Sequence, residues 1–425
     1  MLLLAFSATT VRAQSDFSIT RMEQAATYSE QMGGVAVLIY QNGRIIFEDY
    51  HNGADTSVVT HIQSATKAFW AMATAAAIES GLIDSFDERV ALTLTEWQDA
   101  AQHPFKNRIL LRHLLALSGG LSQDIEQIQG LDAQADDLYA YAIDSLRIQF
   151  LPGNRFQYGP SNYYAYGAFL ERKLKRAGID QNPLAYLDSV IFSPIGLQYD
   201  SWAHDPSGNP HIPNGCYITP REWVKFGQLL LQKGKWADTQ LVDSNLVKQL
   251  FVADGPNPGH GKFLWLNHPD GQGAFPGQTP PAGSSGGFMY HDGYTDLIGA
   301  LGGGRNRMYI IPAQNAVVLR QSIEDRGDFQ DDTFLRFLLD EVTQSANKTS
   351  TAVDIIYPNP ALDRLHIQTA TPVRRLRIVN LRGQVVHMTD AFPPKTIALT
   401  GLPAGLYLLQ LEHDQEVRTY PFVKQ

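Results

Sequence analysis

The chain has 425 residues, a net charge of −9 at pH 7 (34 Lys or Arg against 43 Asp or Glu) and one cysteine, Cys216. This length supports two or three domains with a large core. The acidic balance argues against nucleic acid as a partner, and a lone cysteine excludes an internal disulfide.

Residues 1–13, Met-Leu-Leu-Leu-Ala-Phe-Ser-Ala-Thr-Thr-Val-Arg-Ala, read as the tail of a secretory signal peptide. The apolar stretch is short, Val11-x-Ala13 is a small-residue cleavage pattern, and no basic segment precedes it. The alternative is an exposed N-terminal tail. No other stretch has the ~18 consecutive apolar residues of a membrane span, so no transmembrane segment is expected.

Val35–Tyr40 and Ile45–Tyr50 flank Gln41-Asn42-Gly43-Arg44. Asn-Gly between two apolar runs predicts a β-hairpin. Then comes His61-Ile62-Gln63-Ser64-Ala65-Thr66-Lys67, followed by an Ala-rich apolar run to Ile78 and a stop at Gly81. This predicts a buried helix with Ser64 near its first turn and Lys67 one turn later. Residues three apart share a helix face, so hydroxyl and ammonium can meet. A serine nucleophile needs such a base, and the helix N-terminus favours charge developing on oxygen. Spacing alone is weak: Ser345-x-x-Lys348 matches it too. The plainer reading makes Ser64 an N-cap and Lys67 a solvated first-turn lysine.

Leu110–Leu117 predicts a short helix stopped by Gly119-Gly120, with His113 as a structural histidine inside an apolar repeat. Pro152–Pro160 is a loop with several breakers, and a helix should run from about Asn162 to Arg176, ahead of Gly178. Tyr158 thus sits where a loop side chain can be aimed into a cleft, or is simply a half-buried core tyrosine. Thr219-Pro220-Arg221-Glu222 is a capping box with Pro at the first helical position. Residues 253–296 are rich in Gly and Pro and read as a long loop region rimming a site. Leu297–Gly304, Met308–Pro312 and Ala316–Leu319 read as paired strands.

Thr343–Ala352 is polar and aperiodic, a linker. Beyond it, Leu365–Gln368, Leu376–Leu381, Gln384–His387, Thr396–Leu399, Leu406–Leu411 and Val417–Val423 are short strands separated by turn signals, an all-β sandwich. Residues 355–425 carry eight Lys or Arg and five Asp or Glu, a positive balance within an acidic chain.

These pieces in this order resemble the serine β-lactamase-like family, which includes class C β-lactamases, DD-peptidases and related esterases. The resemblance covers residues 17–340. Ser64-x-x-Lys67 follows an Asn-Gly hairpin, and Arg112-His113-Leu114-Leu115 with Ser118-Gly119-Gly120-Leu121 matches the family's RHLL…SGL stretch. Phe156-Gln157-Tyr158 matches its tyrosine loop, and Asn214–Glu222 with Phe226–Leu231 resembles its GGLYSTARD helix start. The resemblance implies an α/β (α+β) fold: an antiparallel sheet flanked by helices, plus a helical subdomain. It implies Ser64, Lys67 and Tyr158 as catalytic residues of an acyl-enzyme mechanism, in which Lys67 must be neutral or share a proton to act as base. The oxyanion would lie between the backbone N–H groups of Ser64 and a strand carrying Lys-Thr-Gly or His-Thr-Gly in relatives. His291-Asp292-Gly293 is one candidate, but Ala300-Leu301-Gly302 has the family's spacing to a strand-ending Pro, here Pro312. That register assigns the second N–H to Gly303 and substrate binding to Gly302, and leaves His291 on a loop.

Two departures bear on substrate. Pro160 stands where β-lactamases carry the Asn of Tyr-x-Asn, and Ala300 and Leu301 stand for the Lys and Thr that bind the β-lactam's polar groups. The better fit is an esterase, amidase or peptidase for a small-molecule or peptide-like substrate lacking a critical carboxylate. A true β-lactamase, and a catalytically silent penicillin-binding-like protein that binds peptidoglycan fragments, are the rivals. No metal or organic cofactor is expected, since the histidines form no recognisable ligand spacing.

The C-terminal piece resembles the type A sorting domain of the type IX secretion system, through Tyr357-Pro358-Asn359-Pro360, Asn380–Val386, Leu402–Tyr407 and the terminal Phe422-Val423-Lys424. This implies passage through the periplasm and across the outer membrane, with the secretion machinery as partner of residues 355–425. A carbohydrate-binding sandwich is the alternative. The expected organisation is a signal peptide (1–13), a hydrolase domain (14–345), a linker (346–354) and the sorting domain (355–425).

Overall fold

The structure is a computed structural model that describes residues 17–123, 135–275, 277–324, 329–340, 355–369, 373–380, 384–390, 396–413 and 417–425. The expected signal peptide and the linker at 346–354 lie outside the described residues. Contacts divide the chain into two compact units, Met1–Leu339 and Asp340–Gln425.

The first unit opens with α1 (Ile19–Gln31), followed by the hairpin of β1 (Gly34–Gln41) and β2 (Arg44–Tyr50). Its turn residues Asn42 and Gly43 take φ of +50° and +89°, the left-handed pair that a two-residue turn between twisted strands requires. A two-residue strand β3 (Thr60–His61) leads into α2 (Lys67–Glu79), ten of whose 13 residues are buried. A helix apolar all round belongs inside a core, and α2 runs through the middle of this one. The short α3 (Leu111–Leu115), α4 (Leu138–Asp144), α5 (Ser161–Arg176) and α6 (Pro183–Leu187) pack around it as the expected helical part.

Next come β4 (Ser201–Trp202) and β5 (Cys216–Ile218), which join β3 in a small sheet of order β3-β5-β4. In α7 (Pro220–Leu231) the Thr219 hydroxyl accepts the Glu222 N–H at 3.4 Å. The expected return bond is replaced: the Glu222 carboxylate accepts from the Gln198 N–H at 2.7 Å and from Lys225 at 2.8 Å. The hairpin of β6 (Lys235–Trp236) and β7 (Thr239–Gln240), then α8 (Ser244–Leu250), lead to β8 (Trp265–Leu266), which interrupts the predicted loop region. β9 (Ile298–Leu301), β10 (Arg307–Ile311), β11 (Ala316–Ser322) and α9 (Asp331–Leu339) complete the unit. The main sheet is antiparallel in the order β2-β1-β11-β10-β9-β8. Every residue of β1 and β11 is buried, so helices cover both faces; α1 and α7 pack on the strands, and α9 packs on α1 and reaches β10 through Phe334 against Tyr309. Among the described residues no helix is long and apolar enough to cross a membrane.

The second unit contains β12 (Ile355–Tyr357), β13 (Arg364–Gln368), β14 (Arg375–Asn380), β15 (Val385–Asp390), β16 (Thr396–Ala398), β17 (Gly405–Glu412) and β18 (Val417–Lys424). They form two sheets, β12-β13-β16 and β15-β14-β17-β18. Leu365 and Ile397 of the first share one core with Leu376, Leu409 and Phe422 of the second. This is the expected sandwich, with β12 an additional strand.

Candidate active site

The turn before α2 is held from two sides. Ile62 N–H donates to Cys216 O at 3.1 Å, and Cys216 N–H donates to the Thr66 hydroxyl at 3.2 Å. His61 pairs with Tyr217 in the β3–β5 ladder, and their rings stack at 4.3 Å. Gln63 takes φ of +52°, a left-handed conformation unusual for a side-chain-bearing residue. Gln63–Thr66 then form one 3-10 turn that carries Ser64, and Lys67 is the first residue of α2. The capping reading fails on this geometry. The cap position is Thr66 with no side-chain cap, and Lys67, far from solvated, is 5% exposed.

Lys67 Nζ donates to Pro213 O at 2.9 Å and to the Tyr158 hydroxyl at 3.4 Å. It stands 5.3 Å from the Tyr158 ring centre and 5.6 Å from that of Tyr163. Tyr163 is fully buried and donates to Leu115 O at 3.4 Å; burial, then the neighbouring Tyr158, pushes its phenol well up, so it stays neutral. Tyr158 lies on the loop before α5 and stacks on Trp265 of β8 at 5.7 Å. Trp265 meets His260 edge-on at 4.8 Å and also contacts Phe156 and Phe288. Burial, helped by the charge of Lys67, pushes the His260 imidazole down to about 3. This buried ring is therefore neutral at ordinary pH.

Gly302 and Gly303 follow the end of β9 directly. A Cβ on Gly302 would collide with the Ile62 carbonyl and lie 3.2 Å from Ala65 N, and one on Gly303 would touch Gln63. The two glycines therefore close on the residues flanking Ser64, an approach that a side chain at Gly302 would block. Gly302 N–H donates to Asn306 O at 2.8 Å and its carbonyl accepts from Arg307 Nη1 at 2.7 Å. The buried Asn306 side chain ties this turn down: Nδ2 donates to Gly303 O at 2.9 Å and His61 O at 3.3 Å, and Oδ1 accepts the Ser322 N–H at 3.0 Å. Arg307 is paired at 2.5 Å with the half-buried Asp331, which also accepts from Tyr309; Arg307 and the two hydrogen bonds hold the Asp331 carboxyl below its usual range against desolvation.

The five residues singled out in the sequence thus converge on the start of α2: Lys67 with Tyr158, and Gly302 and Gly303 against the chain either side of Ser64. His291 stands apart, its N–H donating to Asp332 of α9 at 2.7 Å. Sequence reasoning missed Pro213, whose carbonyl carries no sequence signal, and Asn306, a polar residue in a turn. It also missed Trp265 and His260, which lie in a stretch read only as loop.

Residues 19–340 match the family model described as Beta-lactamase, and residues 355–425 match that of the Secretion system C-terminal sorting domain. No curated protein matches the chain. Among solved structures, the chain is similar to a beta-lactamase candidate from Bacteroides dorei, with 18% identity, a TM-score of 0.56, and coverage of 75% of this chain and 94% of that one. A penicillin-binding protein homolog from Caulobacter crescentus follows at 14% identity and TM-score 0.53, over 73% of this chain and 94% of that one. EstCE1, a hydrolase with promiscuous acyltransferase activity, has 15% identity and TM-score 0.53, over 75% and 97%. Likeness at these identities is likeness of fold.

Proposed function

The chain belongs to the Beta-lactamase family of serine hydrolases and carries a C-terminal type IX sorting domain, and from that premise we propose an exported acyl-enzyme hydrolase of esters, amides or peptide-like amides. The observation that carries the reading is the buried Lys67 side-chain nitrogen, 3.4 Å from the Tyr158 hydroxyl and one helical turn after Ser64. Ser64 Oγ attacks the substrate carbonyl while Lys67, as the neutral amine, takes the hydroxyl proton and becomes the ammonium. The proton passes through Tyr158 to the leaving oxygen or nitrogen, the bond to that atom breaks, and Ser64 is left acylated. Water, activated by the same pair, then cleaves the acyl ester and restores the Ser64 hydroxyl. The negative oxygen formed in each half is held by the N–H groups of Ser64 and Gly303.

Ester or simple amide substrates are favoured over β-lactams because Pro160, Ala300 and Leu301 offer none of the side-chain polar groups found there in β-lactamases. The hydrolase would span residues 14–345 and be joined through 346–354 to the sorting domain. The sorting domain supports delivery to the cell surface or medium, with residues 1–13 directing the first, periplasmic step. The test is covalent labelling by a fluorophosphonate. Wild type should label and turn over short-chain esters, and Ser64→Ala should do neither; full labelling of Ser64→Ala would refute the assignment.

A further inference from the structure

Polarity is divided unevenly around Lys67. On one side stand polar groups: Gln63 donates to His61 at 2.8 Å, and His61 bonds the Asn214 carbonyl. On the Tyr158 side stands a continuous aromatic surface. Tyr158 stacks on Trp265, Phe275 lies 6.3 Å from Tyr158, and Phe288 meets Trp265 edge-on at 5.4 Å. Phe275 is 64% exposed, a large apolar ring left in water beside the proposed proton donor, which a bound group would cover.

The rim is built, not loose. Buried Asn257 accepts the N–H groups of Gly259 and Gln272 at 2.9 Å each and donates to Gln272 O at 2.7 Å. Buried Asn267 accepts from Met289 and Tyr290 N–H at 3.2 and 3.1 Å and donates to Tyr290 O at 2.8 Å. These two amides hold the segments on which Phe275 and Phe288 sit.

We propose that the natural substrate leaves as an uncharged aromatic or otherwise apolar alcohol or amine, seated against Phe275 beside Tyr158, with the buried Trp265 backing the Tyr158 ring. This rests on the reading of Tyr158 as the donor to the leaving atom: the surface that abuts Tyr158 then abuts the leaving group, while the acyl group faces the polar side. A charged leaving group would exchange water for aromatic faces at a loss.

The experiment compares 2-phenylethyl acetate with propyl acetate, whose leaving alkoxides have similar basicity. Ethyl 3-phenylpropanoate against ethyl butanoate moves the ring to the acyl side. In wild type the phenylethyl/propyl ratio of kcat/KM should be about ten or more, and in Phe275→Ala below about three, while Phe275→Tyr restores it. The acyl-side ratio should change less than about two-fold between wild type and Phe275→Ala. A leaving-group ratio near one in wild type, a ratio that Phe275→Ala does not move, or a change confined to the acyl-side ratio overturns the inference. Phe275 is exposed, so its alanine variant should fold, and fluorophosphonate labelling of the same preparations reports this directly. Labelled enzyme without leaving-group preference defeats this inference alone; wild type that neither labels nor turns over esters defeats the serine mechanism beneath it.

Discussion

Lys67 and Tyr158, 91 residues apart in sequence, meet at 3.4 Å between the lysine nitrogen and the phenol oxygen. The contact joins the first residue of α2 to the loop ahead of α5. Each partner is fixed independently, Lys67 by the Pro213 carbonyl at 2.9 Å and Tyr158 by its stack on Trp265. Two groups held this way stay in reach of one another without substrate, as a proton relay requires.

Removal of either group should therefore act on turnover before stability. Lys67→Ala should lower kcat about 10²- to 10⁴-fold, the usual loss when a general base is deleted. Tyr158→Phe keeps the ring on Trp265 and loses only the hydroxyl, so kcat should fall by a similar order with the thermal midpoint nearly unmoved. Wild-type turnover in Tyr158→Phe would remove the phenol from the proton path.

Much of this was legible in sequence because it rests on local signals. Asn42-Gly43 specifies its hairpin, the Ala-rich run after Lys67 specifies a buried helix, and Gly302 sits where only a glycine clears the Ile62 carbonyl. The glycine and the serine turn could be matched because each carries a spacing. What stayed hidden has no periodicity. Pro213 contributes a backbone oxygen, and the Asn306 side chain works through Gly303, His61, Ser322 and Thr60, partners that only the tertiary fold assembles. The rim around Trp265 is shaped by side-chain bonds of Asn257 and Asn267 rather than by strand or helix patterns.

Asn306 is the joint between the two proposed oxyanion donors, since it bonds Gly303 O at 2.9 Å and His61 O, three residues ahead of Ser64, at 3.3 Å. Asn306→Ala leaves these partners and the Ser322 N–H without their bonds, at a cost of about 1–3 kcal/mol per buried group. The thermal midpoint should drop. A purely structural role would stop there. A positioning role should also lower kcat by about 10- to 100-fold with little change in KM, as for supporting residues around other sites. Unchanged kcat in the folded fraction would limit Asn306 to stability.

Short-chain esters should be better substrates than β-lactams. With Pro160, Ala300 and Leu301 at the polar anchor positions, a bound β-lactam would lose hydrogen bonds worth about 1–3 kcal/mol each, and the kcat/KM deficit should reach several hundred-fold or more. Parallel measurement with a short-chain ester and a chromogenic cephalosporin decides the matter. Equal efficiency on the cephalosporin would overturn the esterase reading.

Acid should destabilise the hydrolase unit before its paired carboxylates titrate. His113 accepts the Leu110 N–H at 3.2 Å on Nδ1, and burial with the neighbouring Arg112 pushes its imidazole down to about 4; His260 is pushed down to about 3. Both fall below the ordinary value of about 6.5, so the unfolded chain takes up these protons first. Stability is then fully present above about pH 6.5 and is lost as pH falls toward 4. Glu96 and Asp331, held below the usual carboxyl range by Arg172 and Arg307 respectively, add their loss only from about pH 5 downward. The thermal midpoint should drop by roughly 3–6 °C between pH 6.5 and 4.5. His113→Asn, which keeps an acceptor but cannot titrate, should flatten part of that slope; an unchanged slope would show that His113 takes no part.

The sorting domain should be dispensable for catalysis and necessary for export. The largest core cluster of the hydrolase unit lies between Leu38 and Leu319, with Met22 and Tyr28 of α1 and Phe334 and Leu338 of α9 also buried, and the sandwich core lies between Ala361 and Phe422. Each unit thus buries its own apolar surface, which is the condition for folding alone. A chain ended at Ser345 should keep the ester turnover and thermal midpoint of the full-length hydrolase unit. If it is unfolded, the C-terminal domain is part of the hydrolase structure. In a host with type IX secretion machinery, the full-length protein should reach the cell surface or medium with the sandwich removed. The truncated chain should instead be retained in the periplasm. Separating periplasmic and extracellular fractions and probing each with fluorophosphonate measures both at once. Truncated enzyme labelled outside the outer membrane would show that export does not depend on residues 355–425.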